Sequence, residues 1–161
     1  MDNAPDVTME GGEGGYFGCS VSTIGDVNGD GFSDVIVGAY KFDQDRGKVY
    51  IYFGGAAMNN IVDRTIVGEV SGALFGNAVS TPGDLNRDGY SDIIVGANHV
   101  VSPPAIGKVY IYFGEASMNT TPDIVLEGET LGDTFGARVS SGGDINGDGY
   151  PDFIVSALRF N

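Results

Sequence analysis

Apolar residues in this chain come in short runs of four to eight, rich in Val, Ile, Tyr and Phe and bounded by Gly, Asp, Asn and Pro. Runs of that length and composition predict β-strands. The run Val49-Tyr50-Ile51-Tyr52-Phe53 is apolar at every position. A strand needs this when its sheet is covered on both faces. No stretch of ten or more residues carries an apolar stripe at helical spacing. The pattern predicts an all-β chain.

The runs recur in a fixed order. Phe17-Gly18, Phe75-Gly76 and Phe135-Gly136 stand 58 and then 60 residues apart, and Asp26, Asp84 and Asp144 keep the same offsets. Each unit reads FG and a short run (CSVS, NAVS or ARVS), an acidic loop, then DVIVGA, DIIVGA or DFIVSA. A variable loop, GKVYIYFG and a last apolar stretch follow (RTIVGE or DIVLEGE), with VTMEGG at the front of the chain. Four short antiparallel strands (A to D), covered on both faces and repeated at this period, describe a β-propeller blade. The chain is expected to run D-ABCD-ABCD-AB, eleven strands or about two and three-quarter blades, with repeats at about 6–65, 66–125 and 126–161. A seven-bladed ring of this period takes roughly 410 residues. The chain is therefore expected to belong to a larger ring, through a longer polypeptide or through self-association as a homo-oligomer.

The acidic loops read DVNGDGFSD, DLNRDGYSD and DINGDGYPD. They place nine carboxylates in three short segments of a chain whose net charge is already −14. Numbered 1 to 9, each offers oxygens at 1, 3 and 5, a glycine at 6, a main-chain carbonyl at 7 and a carboxylate at 9. That is the first part of a calcium loop of the EF-hand kind. The ligand sets are Asp26, Asn28, Asp30, the Phe32 carbonyl and Asp34; Asp84, Asn86, Asp88, the Tyr90 carbonyl and Asp92; and Asp144, Asn146, Asp148, the Tyr150 carbonyl and Asp152. An EF-hand needs a bidentate Glu at position 12. Val37, Val95 and Val155 stand there, inside predicted strands, so the loops belong to hairpins. The carboxylate at 9 is expected to bind the ion directly. Asp, Asn and Gly also make good turns, which accounts for one loop but not for five oxygen positions kept in three. Calcium suits the sets better than magnesium, which dehydrates reluctantly and avoids all-protein cages. Three ions, one per repeat, would bring the formal charge from −14 to −8. Arg87 stands at position 4, where the other loops have Gly29 and Gly147, and its side chain is expected to point to solvent.

Three registered copies of FG, DxNxDGxxD and GA resemble the FG-GAP repeat of integrin α-subunit propellers over nearly the whole chain. The proline of the family's GAP is replaced by Tyr40, Asn98 and Leu158. The resemblance implies a calcium-binding module at the cell surface or outside the cell, used for adhesion or for binding a protein or glycan. It also implies that the acidic loops lie on one face and that ligands meet the D–A and B–C loops on the other. The B–C loops are AYKFDQDRG at 39–47 and ANHVVSPPAIG at 97–107, and their candidate ligand contacts are Tyr40, Phe42, Asp43, Arg46 and His99.

The remaining chemistry is thin. The acidic balance excludes nucleic acid and anionic membrane surfaces as partners, and no apolar run reaches the ~18 residues of a membrane span. Cys19 is the sole cysteine, so no intrachain disulfide forms, and it is expected half-buried in a strand. His99 is the sole histidine, expected exposed in its loop and without catalytic partners. No nucleophile or phosphate-binding motif is present, and no spacing among Glu69, Glu127, Glu129, Asp43 and Asp45 favours a glycosidase pair. The chain is expected not to be an enzyme. A propeller domain of a carbohydrate-active enzyme and a structural repeat of a large surface protein stay open as alternatives. The start, MDNAPD, shows neither a basic nor an apolar region of a signal peptide, which fits its removal or its absence.

Overall fold

The computed structural model describes residues 5–11, 14–98 and 106–158. Among the described residues, ten strands form three antiparallel sheets. The first holds β1 (Ser20–Gly25), β2 (Asp34–Ala39), β3 (Lys48–Tyr52) and β4 (Arg64–Val67), in that order. A four-residue turn, α1 (Phe42–Asp45), interrupts it between β2 and β3. The second repeats the order with β5 (Phe75–Gly83), β6 (Asp92–Ala97), β7 (Lys108–Tyr112) and β8 (Ile124–Glu127). The third holds β9 (Phe135–Gly143) and β10 (Asp152–Ala157). These are two whole blades and the first two strands of another. Blade-to-blade turns fall at 68–74 and 128–134.

The front of the chain departs from expectation. Residues 7–11 form no strand, because a D strand exists by pairing with a C strand, and the first sheet already has its own in β4. The segment still behaves like a D strand in packing: Gly11 lies against the Phe17 side chain as Gly68 lies against that of Phe75, and Met9 packs on the first blade. Cys19 is a second departure. It sits exposed in a bend before β1, with Sγ 3.5 Å from the Gly76 carbonyl.

Strand alternation explains the cores. In β3, Val49 and Ile51 face the second blade, where with Ile24, Ile36 and Ile66 they meet Phe75, Ile93, Val95, Tyr110 and Tyr112. Tyr50 and Tyr52 turn to the opposite face, with Val37, Ala39 and Phe17. In the second blade Val109 and Ile111 repeat the role, packing with Ile94 against Val139, Phe153 and Val155 of the third. Each fully buried aliphatic side chain contributes roughly 1.5–3 kcal/mol. The seams between blades therefore carry most of the burial.

The recurring glycines have a steric cause. A Cβ on Gly38 would lie 2.1 Å from the Gly76 carbonyl oxygen, and one on Gly96 would lie 2.2 Å from that of Gly136. The glycine of each GA thus admits the backbone of the next blade's FG. At the matching place in β10 stands Ser156.

Candidate metal centre

Antiparallel order puts the acidic loops, which join A to B, at one end of the strands, and the B–C loops at the other. Each acidic loop is a nest of side-chain-to-backbone bonds. In the first, Asp26 Oδ1 accepts from the Gly29 and Asp30 amides (2.7 and 3.1 Å) and Oδ2 from Gly31 (2.8 Å). Asn28 Oδ1 accepts from the Asp30 amide (3.0 Å), and Asp30 Oδ1 from the Phe32 amide (2.9 Å). The Asn28 amide donates to Asp30 Oδ2 at 3.0 Å. The third loop repeats this set, and the second repeats its bonds from the amides at positions 5, 6 and 7 and from the asparagine side chain. Asp84 Oδ2 accepts from Gly89 (2.9 Å) and Asp144 Oδ2 from Gly149 (2.9 Å), while Asp88 and Asp148 accept from the Tyr90 and Tyr150 amides (2.9 and 2.8 Å). Asn86 and Asn146 bridge to Asp88 and Asp148 at 2.7 and 3.0 Å. Position 6 has φ of +88°, +95° and +86° at Gly31, Gly89 and Gly149, a conformation that suits glycine.

Position 9 has a task that the sequence reading did not assign. Asp34 is fully buried and accepts from Val27 (2.9 Å) with one oxygen and from Gly54 (2.7 Å), beyond β3, with the other. Asp92 does the same with Leu85 (2.7 Å) and Gly114 (2.9 Å), and Asp152 accepts from Ile145 (2.8 Å). The carboxylate therefore staples its loop to the strand behind it. Glycines after the two YIYF runs were the available signal, since Gly54 and Gly114 supply the second amide. Burial, opposed by these two bonds, pushes the Asp34 carboxyl up, and Asp92 is pushed up to about 6, with Asp88 and Asp84 adding to the rise.

Among the described residues, no three His, Cys, Asp or Glu side chains are placed together to hold a metal. Asp34 and Asp92 face strand amides, and the loops draw their other oxygens from an asparagine and a main-chain carbonyl, which lie outside that residue set. The donor chemistry still fits a hard cation. An ionised carboxylate has about four acceptor sites, so two bonds each leave Asp30, Asp34, Asp88 and Asp92 with capacity.

Arg87 does not point to solvent. Its guanidinium lies 3.6 Å from the centre of the Tyr150 ring and donates to the Gly149 carbonyl, both in the third loop. The Tyr150 amide and the Asn146 side chain hold the Asp148 carboxyl below the usual range, and Arg87 adds a smaller contribution. Loops 1 and 2 touch as well, the Ser91 amide donating to the Asp26 carbonyl (2.8 Å), and beyond β7 the Glu115 amide donates to the Val27 carbonyl of loop 1 (3.0 Å). No reading of one loop at a time reveals these contacts.

At the opposite end, Tyr40 lies 5.6 Å from Tyr16 between ring centres, with Lys41 Nζ 5.4 Å from Tyr16 and 6.0 Å from Tyr40. Lys48 stands 4.9 Å over Phe42, and Asp43 pairs with Arg46 at 3.5 Å. Asp43, Gln44 and Asp45 all take positive φ (+46°, +58° and +61°). The turn is held there by its carbonyls: Gln44, Asp45 and Arg46 accept from Gly72, Leu74 and Phe75 at 3.1, 2.9 and 3.2 Å. Four of the five candidate ligand contacts thus share one loop. His99 lies outside the described residues. Lys41 and Tyr16 join the cluster without having been singled out in the sequence.

The comparisons with known proteins agree with this architecture. The FG-GAP repeat family matches residues 17–52, and the FG-GAP-like repeat family matches residues 84–155. The chain is 37% identical to integrin alpha-6 of Gallus gallus over 148 residues, 40% to integrin alpha-7 of Rattus norvegicus over 149, and 34% to integrin alpha-5 of Xenopus laevis over 156. These alignments take in 88–89% of the chain and 13–15% of each relative, so the chain spans about one seventh of the proteins it matches. Two blades of the same strand order, joined FG to GA and carrying an acidic loop at each A–B turn, bear out the resemblance read from the repeats: the chain belongs to the FG-GAP repeat family of integrin α-like β-propellers.

Proposed function

We propose that this propeller segment binds about three calcium ions, one per acidic loop, and serves outside the cell or at its surface as an adhesion or ligand-binding module. One observation carries the calcium reading: the same oxygen set sits in the same nest of backbone bonds in all three loops. Asp26, Asn28, Asp30, the Phe32 carbonyl and Asp34 would hold the first ion, with the matching residues of 84–92 and 144–152 holding the others. A bound ion would supply positive charge to a loop that carries three carboxylates. The chain's own residues do the rest, holding the aspartate and asparagine side chains with amide donors before any ion arrives.

Calorimetric titration of chelator-washed protein, with thermal melts alongside, tests this. About three ions and a higher melting temperature are expected, since ligands bound by the folded state alone stabilise it by mass action. Asp30→Ala should lose one ion and leave two. A melting temperature indifferent to calcium would overturn the reading.

The B–C end is the proposed ligand face, for a protein or glycan, because aromatic rings and Lys41, Arg46 and Lys48 gather there in a chain of net charge −14. The integrin names of the relatives support an adhesive, non-catalytic role. Completion of the ring, by further chain or by other copies, belongs to the same proposal.

A further inference from the structure

The two junctions between acidic loops are locked differently. At the first, the main chain of loop 2 bonds to that of loop 1, through the Ser91 amide and the Asp26 carbonyl. Gly29 also packs on Tyr90 so closely that a Cβ would lie 2.5 Å from ring atom Cε1. At the second junction, Pro151 occupies the place of Ser91 and has no N–H to donate. A side chain takes over. Arg87, at the position of Gly29, covers the Tyr150 ring and donates to the Gly149 carbonyl. Arg87 holds a positive φ of +61° to do so, in step with Gly29 (+80°) and Gly147 (+75°).

We propose that Arg87, carried by the second acidic loop, is a resident counter-cation of the third, so that loop 3 takes its divalent ion more weakly than it would beside a neutral residue, by a margin that salt narrows. The proposal rests on the calcium reading above. The Tyr150 carbonyl would be the loop's main-chain ligand, so a guanidinium stacked on that residue's ring would repel an ion held there. A unit charge acting on a divalent ion at a separation of roughly 8 Å in solvent near ε ≈ 80 weakens binding about fivefold. Screening shrinks this to about two- or threefold near 0.1 M salt. At the first junction the matching position is Gly29, which meets the Tyr90 ring of loop 2, so among the described residues no such cation covers that ring.

Terbium, which takes the oxygen sites of calcium and is sensitised by a nearby tyrosine, reads loop 3 directly. With Tyr90→Phe in the background, Tyr150 is the one tyrosine in the three loops, since loop 1 has Phe32. The comparison is between this protein and the same protein with Arg87→Gln or Arg87→Lys, titrated with terbium at low and moderate salt. Arg87→Gln should tighten loop 3 about fivefold at low salt and about two- or threefold near 0.1 M, so that its affinity falls more steeply with salt than the parent's. Arg87→Lys, which keeps the charge, should stay within about twofold of the parent. Equal midpoints for Arg87→Gln and the parent would overturn the proposal and leave the calcium reading standing. Tightening by Arg87→Lys equal to that by Arg87→Gln would also overturn it, by assigning the effect to the stacked fork instead of the charge. An absence of sensitised emission in every protein would overturn both readings together.

Discussion

Asp92 offers a sharp test of the electrostatics, because its carboxyl is fully buried yet tied to two backbone amides. Burial pushes it from an ordinary 3.8 to about 6. The folded state then binds the proton more tightly than the unfolded state, and the linkage has a definite sign. The stabilisation is fully present below about pH 4 and is lost as pH rises through 6. About two pKa units correspond to about 3 kcal/mol in all, of which about 1.4 kcal/mol falls between about pH 5 and about pH 7.5. That range stays above the isoelectric point near 4.1. The perturbation is Asp92→Asn, which keeps one acceptor oxygen, turns an NH2 toward the other amide and removes the titration. Its fixed cost cancels when melting temperatures are compared across pH. In chelator-washed protein, the wild type should lose about 3–6 °C relative to Asp92→Asn between the two pH values. Saturating calcium should remove that slope in the wild type, because an ion beside the carboxylate favours its charged form. Parallel melting curves for the two proteins across this range would refute the argument.

Two further predictions concern the seams. Gly38→Ala places a methyl 2.1 Å from the Gly76 carbonyl oxygen and should cost about 3 kcal/mol, while Gly55→Ala, with open space around it, should stay within about 0.5 kcal/mol; denaturant unfolding compares them. The third blade leaves Ile154, Ile145 and Leu158 exposed at 55%, 65% and 68%, so the isolated chain should associate at micromolar concentration in light scattering. A stable monomer with a sharp melt would count against the need for a completed ring.

Much of the blade was legible in the sequence, because its causes are local. The all-apolar run at Val49–Phe53 required burial on both faces, and the cores on either side of β3 are what it required. The acidic loops were legible for the same reason: Asn28, Asp30 and Gly31 bond within their own turn. What escaped depends on neighbours. Arg87 differs from glycine at one position, and its significance lies in a ring 63 residues away in the chain. Asp34 read as a ligand alone, because its partner Gly54 is brought near only by the pairing of β2 with β3. The front segment kept the spacing of a D strand while lacking a partner to pair with, and spacing alone cannot supply one.

The contact of Gly38 with Gly76, and of Gly96 with Gly136, is backbone against backbone. That contact itself reads no side chain of either unit, while the aliphatic seam around it does. A stretch of coding sequence about 60 residues long, copied in tandem, would therefore insert a new unit whose backbone joints already fit. This gives the fold a route to growth by simple duplication. Ser156 marks where that freedom stops: a copy placed after it meets a side chain where the other units offer open space, and one substitution to glycine would restore the fit.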